Sequence, residues 1–446
     1  MTHHGEQETI SFPVSYFQFL ISPMPKLIPP KIKSRFSPVW TRALIFFSVM
    51  GPGIITANVD NDAGGITTYS QAGAHYGYAV LWIFIPMTLA LIMVQEMVNR
   101  MGVVTGKGLS DLIREQFGVR WTFYLMLALL LTNFGNILAE FSGIAAAGEL
   151  LGISKFVGVP IAGFVVWALV IKGNYSSIEK VFLFATLFYV AYIISGFQIH
   201  PNWGTVGKAL VVPQIIRERG YLLMLIGLIG TTIAPWMQFY QQASIAEKHV
   251  PLRNYNYSRM DTILGGVTVS VVALFIVIVC AETLFVHAVR IDTAWEAAQA
   301  LLPFAGRFAA VLFAVGLLNA SLFAASILPI STSYTVCEAM GWESGLDHKF
   351  EEARQFYFLY TALIVLGGFL VLIPNLPLIG VMFFSQVING IMLPFTLVPI
   401  LVIVNNKKLM GEHVNGRFYN IVCWAFVVAV TLMSVGWIGL QFFGEK

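Results

Sequence analysis

The sequence predicts an all-α integral membrane protein, and its composition, its long apolar segments and two interruptions within them support this prediction. Of 446 residues, 57% are hydrophobic and 11% are charged, whereas about 25% of the residues in a soluble domain are charged. The net charge of +3 is small and gives no indication of nucleic-acid binding. The three cysteines have no metal-type spacing, so we expect them to be packing residues.

Apolar segments long enough to cross a bilayer recur along most of the chain. With about 20 apolar residues per span, we expect about eleven transmembrane helices, near residues 43–69, 77–99, 122–147, 153–171, 181–199, 221–244, 263–287, 308–337, 356–374, 379–404 and 418–443. Residues 1–42 are polar and then proline-rich, without the basic start and long apolar core of a signal peptide. We expect an N-terminal tail (1–42), a core (43–404) and an additional C-terminal transmembrane helix within 405–446.

Loop charges predict the orientation of the chain, because cytoplasmic loops are enriched in Lys and Arg. With the N-terminus inside, the cytoplasmic segments hold 19 Lys and Arg residues and the outer segments hold 6, with Arg307 at the start of the eighth span. The sequence therefore predicts a multi-pass protein of the cell membrane with a cytoplasmic N-terminus and an extracellular C-terminus.

Two carboxylates, Asp60 and Asp62, fall in the middle of the first predicted span. A charged side chain at the bilayer centre costs at least ~2.5 kcal/mol, so it usually faces a cavity, a pathway or an ion. Ala63-Gly64-Gly65 follows, and its glycines are poor helix formers. We therefore expect an unwound segment directly after Asp62, where freed carbonyls join the carboxylate as cation ligands.

A second interruption is predicted in the sixth span, at Gly230 to Trp236, where Pro235 removes a backbone donor. A proline in a membrane helix often indicates only a bend, so Pro235 alone is compatible with a bent helix as well as with a broken one. Two broken spans five apart, however, are typical of two inverted five-helix halves whose discontinuous helices meet at mid-membrane. We expect these halves at about 43–199 and 221–404.

The ligands expected at these interruptions are oxygens. Asp62 is the first candidate, and Gln386 in the tenth span offers a neutral amide oxygen or an interhelical hydrogen bond. Asp60 could line the aqueous approach or pack between helices, and we expect Glu96 and Glu140 to be structural partners. No histidine falls at mid-membrane. An all-oxygen site favours hard cations such as Mg²⁺, Ca²⁺ or Mn²⁺.

These motifs resemble the NRAMP family of divalent-metal transporters over nearly the whole membrane region. The resemblance lies in Gly51-Pro52 through Asp62, Gln71 through Tyr78, Ala139-Glu140-Phe141, Gly230-Thr231-Thr232 with Pro235, Gln386, Leu393-Pro394-Phe395 and Asn406 through Gly411. It implies a LeuT-like fold with a 5+5 inverted repeat and broken helices 1 and 6. It also implies a metal site at Asp62, Gly65, Thr231, Ala234 and Gln386.

The chain departs from the family pattern at the positions that bind metal and carry protons. The asparagine and methionine ligands of the family are replaced by Gly65 and Ala234. Its titratable positions are occupied by Ile137, Trp236 and Gln241. This pattern is similar to the divergent prokaryotic branch of NRAMP-related magnesium transporters, although loss of function in a relative could produce the same replacements. Removal of two direct ligands, one of them the thioether, favours a harder, wider site that suits partly hydrated Mg²⁺.

The resemblance and the residues together predict uptake of Mg²⁺ (and Mn²⁺) by alternating access, without tight proton coupling. The first alternative is a proton-coupled Mn²⁺/Fe²⁺ symporter. A metal-dependent membrane enzyme is a second, for which Asp60-Asn61-Asp62 is a superficial match, but no second acidic cluster is present. A third alternative is an amino-acid carrier on the same fold. Such a carrier binds the substrate carboxylate at a free helix N-terminus, where Asp62 would repel it. We expect no enzyme activity, no cofactor, no nucleic-acid partner and no obligate protein partner, with the metal ion and the lipid bilayer as the molecules that the protein contacts.

Overall fold

The computed structural model describes residues 59–171, 189–343 and 351–443, and these residues form helices and connecting turns without a strand. The helices are α1 (Ala63–Tyr76), α2 (Phe84–Thr105), α3 (Leu109–Leu150), α4 (Lys155–Ile171), α5 (Val190–Gln198), α6 (Trp203–Val211), α7 (Arg219–Thr232), α8 (Pro235–Glu247), α9 (Tyr255–Cys280), α10 (Ala294–Gln299), α11 (Leu302–Ala305), α12 (Ala309–Met340), α13 (Arg354–Val371), α14 (Leu378–Val404), α15 (Lys407–Met410) and α16 (Arg417–Phe443). Short 3₁₀ turns occur at Gly77–Ile83, Leu252–Asn254 and Gly306–Phe308, and a π-helical turn follows α9 at Ala281–Phe285.

Eight apolar helical segments within the described residues are long enough to cross a membrane, and α4 is a shorter apolar helix of 17 residues. One of the eight joins α1 to α2, and another joins α7 to α8 across the second interruption. The nine segments overlap nine of the eleven predicted spans. Most ends differ by a few residues, but the segments that start at Ala63, Leu109 and Leu252 begin more than ten residues before the predicted spans. Residues 43–58 and 181–188 of the other two predicted spans, and the tail 1–42, lie outside the described residues, while α5 occupies the rest of the span predicted at 181–199.

The long helix α3 is interrupted near its start. Gly118 has φ 79° and ψ 169°, so a short helical segment precedes the membrane-spanning part. A positive φ of this kind is readily available only to glycine. The predicted span at 122–147 begins just after this kink.

Local signals explain where the two broken spans stop and restart. Asp62 is the N-cap of α1, and its side chain accepts a hydrogen bond from the Gly65 N–H at 2.7 Å. Pro235 occupies the first turn of α8, where its missing N–H would have had no intrahelical partner. The predicted interruption of the sixth span is therefore present. The prediction that Ala63 to Gly65 are unwound is wrong, because the Asp62 cap starts the helix at Ala63.

The helices pack with α7 and α8 at the centre and α16 at the periphery. In their most apolar stretches, 89% of the residues of the α7–α8 segment are buried, against 22% for α16. Helix α3 packs along α12 and α14, while α1 packs against α9, α14 and α7. Large apolar side chains such as Phe418 and Phe358 are exposed on the outer faces, as expected for surfaces that face lipid.

Candidate functional site

The site begins at the segment that leads into α1. Asp60 and Asp62 are 2% and 5% exposed, so both carboxylates are removed from bulk solvent. The Tyr189 hydroxyl donates a hydrogen bond to the carbonyl oxygen of Asn61 and so holds the backbone between them. One oxygen of Asp60, Oδ2, is buried without a hydrogen-bond partner among the described residues.

Two carboxylates accept the first N–H groups of α1. Asp62 Oδ1 accepts from Gly65, and Glu140 Oε2 on α3 accepts from the Ala63 N–H at 3.3 Å. A helix N-terminus carries unpaired donors and a partial positive charge, so both carboxylates are stabilised there. Glu140 is therefore a structural partner of α1, as the sequence predicts, and it lies closer to Asp62 than the sequence suggested.

Both positions after Ala63 have close neighbours, but only at Gly65 is the nearest neighbour a backbone atom. A Cβ on Gly65 would lie 2.6 Å from the carbonyl oxygen of Asp60, and a Cβ on Gly64 would overlap the amide of Gln386. The same Gly65 Cβ position lies 3.3 Å from Thr231 Oγ1 and 3.5 Å from Asp62 Oδ1. Gly65 therefore leaves open the space between the Asp62 carboxylate and the Thr231 hydroxyl.

The second half of the site is the connection between α7 and α8. Ile233 and Ala234 leave helical geometry, with ψ values of 56° and 138°. Just before them, the buried Thr231 Oγ1 has no hydrogen-bond partner among the described residues. The Ala234 carbonyl oxygen accepts from the Met237 N–H at 3.2 Å and from Gln238 Nε2 at 3.3 Å.

A hydrogen bond links the two broken spans. The hydroxyls of Tyr69 on α1 and Thr232 on α7 lie 2.7 Å apart, and both residues are buried. The first turns of α1 and the last turn of α7 are therefore held together at the level of the site.

Gln386 on α14 reaches the first turn of α1, with its amide nitrogen nearest to Gly64. Its carbonyl oxygen accepts a hydrogen bond from Asn389 Nδ2 at 2.8 Å. Asn389 in turn pairs with Asn136 on α3 through two reciprocal bonds of 2.9 and 3.1 Å. In this arrangement the Gln386 oxygen points toward Asn389, and the amide has to turn before that oxygen faces Asp62.

Of the five predicted site residues, the structure brings Asp62, Gly65 and Thr231 together and places Gln386 beside them at Gly64. Ala234 lies at the break itself, three residues after Thr231. The described residues contain no group of three or more His, Cys, Asp or Glu side chains arranged to hold a metal. The candidate site therefore combines the Asp62 carboxylate, beside which Glu140 also accepts from the start of α1, with neutral oxygen groups.

Three contributors were missed in the sequence: the Asn136–Asn389 pair, Tyr189, and Met382, whose sulfur accepts from Thr67 Oγ1 at 3.5 Å. Asn389 follows Gln386 by three residues, which places both on one helical face and could have indicated a shared network. No sequence pattern around Tyr189 or Met382 indicates that either residue lies near the site.

Glu96 lies in a different cluster, where it pairs with Arg100 at 3.3 Å and accepts hydrogen bonds from the hydroxyls of Tyr255 and Tyr419. Its predicted structural role agrees with these contacts.

A membrane-length helical bundle, with two of its spans interrupted beside a buried carboxylate, defines a multi-pass membrane transporter rather than an enzyme. The sequence profile described as natural resistance-associated macrophage protein-like matches residues 53–439. The chain belongs to this Nramp family.

The relatives agree with this assignment. The chain is 26% identical over 399 residues to the divalent metal cation transporter MntH of Deinococcus radiodurans, covering 86% of this chain and 88% of the relative. It is 27% identical over 404 residues to the protein of the same name from Klebsiella pneumoniae, covering 88% and 93%.

Solved structures give the fold. The manganese transporter of Eremococcus coleocola superposes with a TM-score of 0.76 at 22% identity, covering 92% of this chain and 90% of that one. A transporter of the nucleobase–cation symport family in a closed conformation superposes with a TM-score of 0.56 at 13% identity, covering 89% and 94%. The predicted LeuT-like all-α fold is confirmed.

Proposed function

We propose that this protein transports divalent metal ions, with Mg²⁺ as a main substrate and Mn²⁺ as a second one, by alternating access and without tight coupling to protons. Relatives along most of the chain are named divalent metal cation transporters or manganese transporters, which supports the class of substrate. The preference for Mg²⁺ and the lack of proton coupling rest on the residues of this chain.

The observation that carries the proposal is the donor set between the two broken spans. The ligands available to an ion between Asp62 and Thr231 are a carboxylate oxygen and a hydroxyl oxygen, with the Gln386 amide adjacent. Oxygen donors suit hard cations, whereas sulfur ligands favour softer transition metals. Asp62, Gly65, Thr231, Ala234 and Gln386 are therefore our proposed metal site, in which Gly65 and Ala234 supply space and backbone.

The absence of larger side chains at Gly65 and Ala234 determines how much water an ion can keep. Mg²⁺ dehydrates reluctantly and usually retains several waters when a protein binds it. A side chain at position 65 would start within 3.5 Å of Asp62 Oδ1 and Thr231 Oγ1, and so would compete with a water ligand for the space beside these two oxygens. Mn²⁺ shares the preference for oxygen ligands, so we propose it as a second substrate.

The same chain lacks titratable side chains where the family resemblance places proton carriers. Ile137, Trp236 and Gln241 are buried, and Gln241 Nε2 donates to Thr262 Oγ1 at 2.9 Å. None of these three side chains exchanges a proton at physiological pH. Asp60 and Glu140 are the remaining groups in this region that could carry one, so proton coupling through them is the alternative to be tested.

The test is flux into proteoliposomes that contain the purified protein and a dye for Mg²⁺, Mn²⁺ or pH. With a negative internal potential, we expect dye-detected entry of both metals and an unchanged internal pH. A metal-dependent acidification that persists when the proton gradient is varied would contradict uncoupled transport and favour the symporter. Entry of Mn²⁺ without Mg²⁺ would contradict the preference for the harder ion.

We also propose the orientation and division of the chain. The tail 1–42 is cytoplasmic, residues 43–199 and 221–404 form the two inverted halves, and residues 405–446 add a helix that ends outside the cell. The charge distribution supports this orientation, and protease or cysteine-labelling access at each terminus in sealed vesicles tests it.

A further inference from the structure

A second feature of the molecule is an apolar cavity of about 280 Å³ between α2, α14 and α16. None of the proposed metal-site residues lines it. Its walls are formed by apolar side chains from Pro86 to Met97 on α2, by Leu397 and Leu401 on α14, and by residues from Val422 to Ala429 on α16. Leu89 in this wall is 52% exposed, so the cavity opens to the surface that faces lipid.

The length of the cavity corresponds to one leaflet of a bilayer. Pro86 and Met97 are eleven residues apart on α2, which is roughly 16 Å along a helix. The hydrocarbon core of a membrane is about 30 Å thick, so the cavity extends from near one surface to about the midplane. A groove of this length accommodates one acyl chain that enters from that surface.

Polar groups close the end of the cavity at which α2 and α14 end and α16 begins. Asn415 Nδ2 lies 3.3 Å from the sulfur of Met97, and the Tyr419 hydroxyl donates to the Met93 carbonyl oxygen at 2.8 Å. Arg100 donates to Asn415 Oδ1 and pairs with Glu96 at 3.3 Å. The buried Nε of Arg100 has no hydrogen-bond partner among the described residues.

The surface around this end is basic. Lys407, Lys408 and Arg417 are exposed there, with Glu412 as the acidic residue between them. Arg417 is five residues, roughly 7 Å, from the cavity-lining Val422 on the same helix. Anionic head groups are attracted to such cations next to a membrane helix.

We propose that this cavity binds one anionic phospholipid, with an acyl chain between α2, α14 and α16 and its phosphate at the basic end. Because α2 belongs to the first half of the fold, α14 to the second and α16 follows both, the lipid bridges elements that alternating access would move against each other. Its occupancy should therefore change the rate of transport.

The binding test is native mass spectrometry of the full chain purified in a mild detergent and supplied with phosphatidylglycerol or phosphatidylcholine. We expect one retained phosphatidylglycerol and little phosphatidylcholine. Ala425→Phe, which fills the cavity, should remove retention, whereas the matched control Val428→Phe on the exposed side of α16 should not. Equal retention in both variants, or equal retention of the two lipids by the unmodified chain, would overturn the proposal.

The charge test uses the triple change Lys407→Gln, Lys408→Gln and Arg417→Gln, which leaves the cavity intact. The preference for phosphatidylglycerol should fall about fivefold for each cation that contacts the phosphate. If Ala425→Phe does not give a monodisperse protein, the smaller Ala429→Leu replaces it. A lipid-free dimer in the spectrum would indicate that a second copy of the chain covers the cavity, and would also overturn the proposal.

Discussion

Substitution of Gly65 by alanine tests the geometry of the site most directly. The added Cβ would lie 2.6 Å from the carbonyl oxygen of Asp60, a distance that Cβ atoms essentially never show. Because that oxygen belongs to the backbone, the chain between Asp60 and Asp62 has to move to relieve the contact. The displaced segment carries the carboxylate that we propose as the metal ligand.

The magnitude follows from two opposing effects. Overpacking against a rigid neighbour costs about 1–3 kcal/mol, and the higher helix propensity of alanine returns up to about 1 kcal/mol. We expect Gly65→Ala to lower the free energy of unfolding by up to about 2 kcal/mol. Displacement of a ligand can reduce activity far more than stability. We expect Mg²⁺ flux to fall at least about tenfold, by analogy with the rate that enzymes lose when a reacting group is misplaced.

Thermal unfolding in detergent and Mg²⁺ flux in proteoliposomes measure the two effects. Gly436→Ala is the matched control, because a Cβ at this helical glycine of α16 meets nothing within 4 Å. It should preserve flux and leave stability equal or slightly higher. Gly64→Ala should reduce flux with little loss of stability, since its Cβ meets the flexible end of Gln386. Full flux in Gly65→Ala at unchanged stability would refute the described arrangement of Asp60, Asp62 and Gly65.

Three further predictions concern the donor set and its support. Asp62→Asn keeps an oxygen for the Gly65 N–H and should fold normally without Mg²⁺ flux, while Asp62→Ala should lose a further ~1 kcal/mol of stability through the lost cap; near-normal flux in either variant would contradict the assignment of the ligand. Ala234→Met should reduce Mg²⁺ flux more than Mn²⁺ flux in the same vesicles, and an equal loss for both ions would contradict the hard, wide site. Asn389→Ala should lower the unfolding free energy by about 1–3 kcal/mol by leaving Asn136 unpaired, and the double change Asn136→Ala with Asn389→Ala should cost less than the sum of the single changes if the pair acts as a unit.

The sequence was sufficient for the features that depend on local chemistry. Apolar length located the spans, and Pro235 located the second interruption, which the structure places at Ile233 and Ala234. The carboxylate of Asp62 indicated the first interruption, because a buried carboxylate is costly unless it binds backbone N–H groups or an ion.

The prediction for Gly64 and Gly65 was wrong because the role of these glycines depends on contacts with residues that are distant in the sequence. Low helix propensity suggested that Gly64 and Gly65 unwind the chain, whereas both lie in the first turn of α1. Their small size accommodates Gln386 from α14 and the Asp60 carbonyl, and neither contact can be read from neighbouring residues. The orientation of the Gln386 amide likewise depends on Asn136, 250 residues earlier in the chain.

The direction of the helices at the site has a consequence for how long an ion can stay there. Helix α1 starts at Ala63 and α8 starts at Pro235, while α7 ends at Thr232. Two of these three ends carry the partial positive charge of a helix N-terminus, which opposes a cation, and one carries the partial negative charge of a C-terminus. Asp62 Oδ1 is already engaged by the Gly65 N–H, so an ion shares this carboxylate with the helix. We therefore expect a short dwell time and fast turnover, because a small shift of α1 away from α7 separates Asp62 from the C-terminus of α7, the one helix end of the three that attracts a cation.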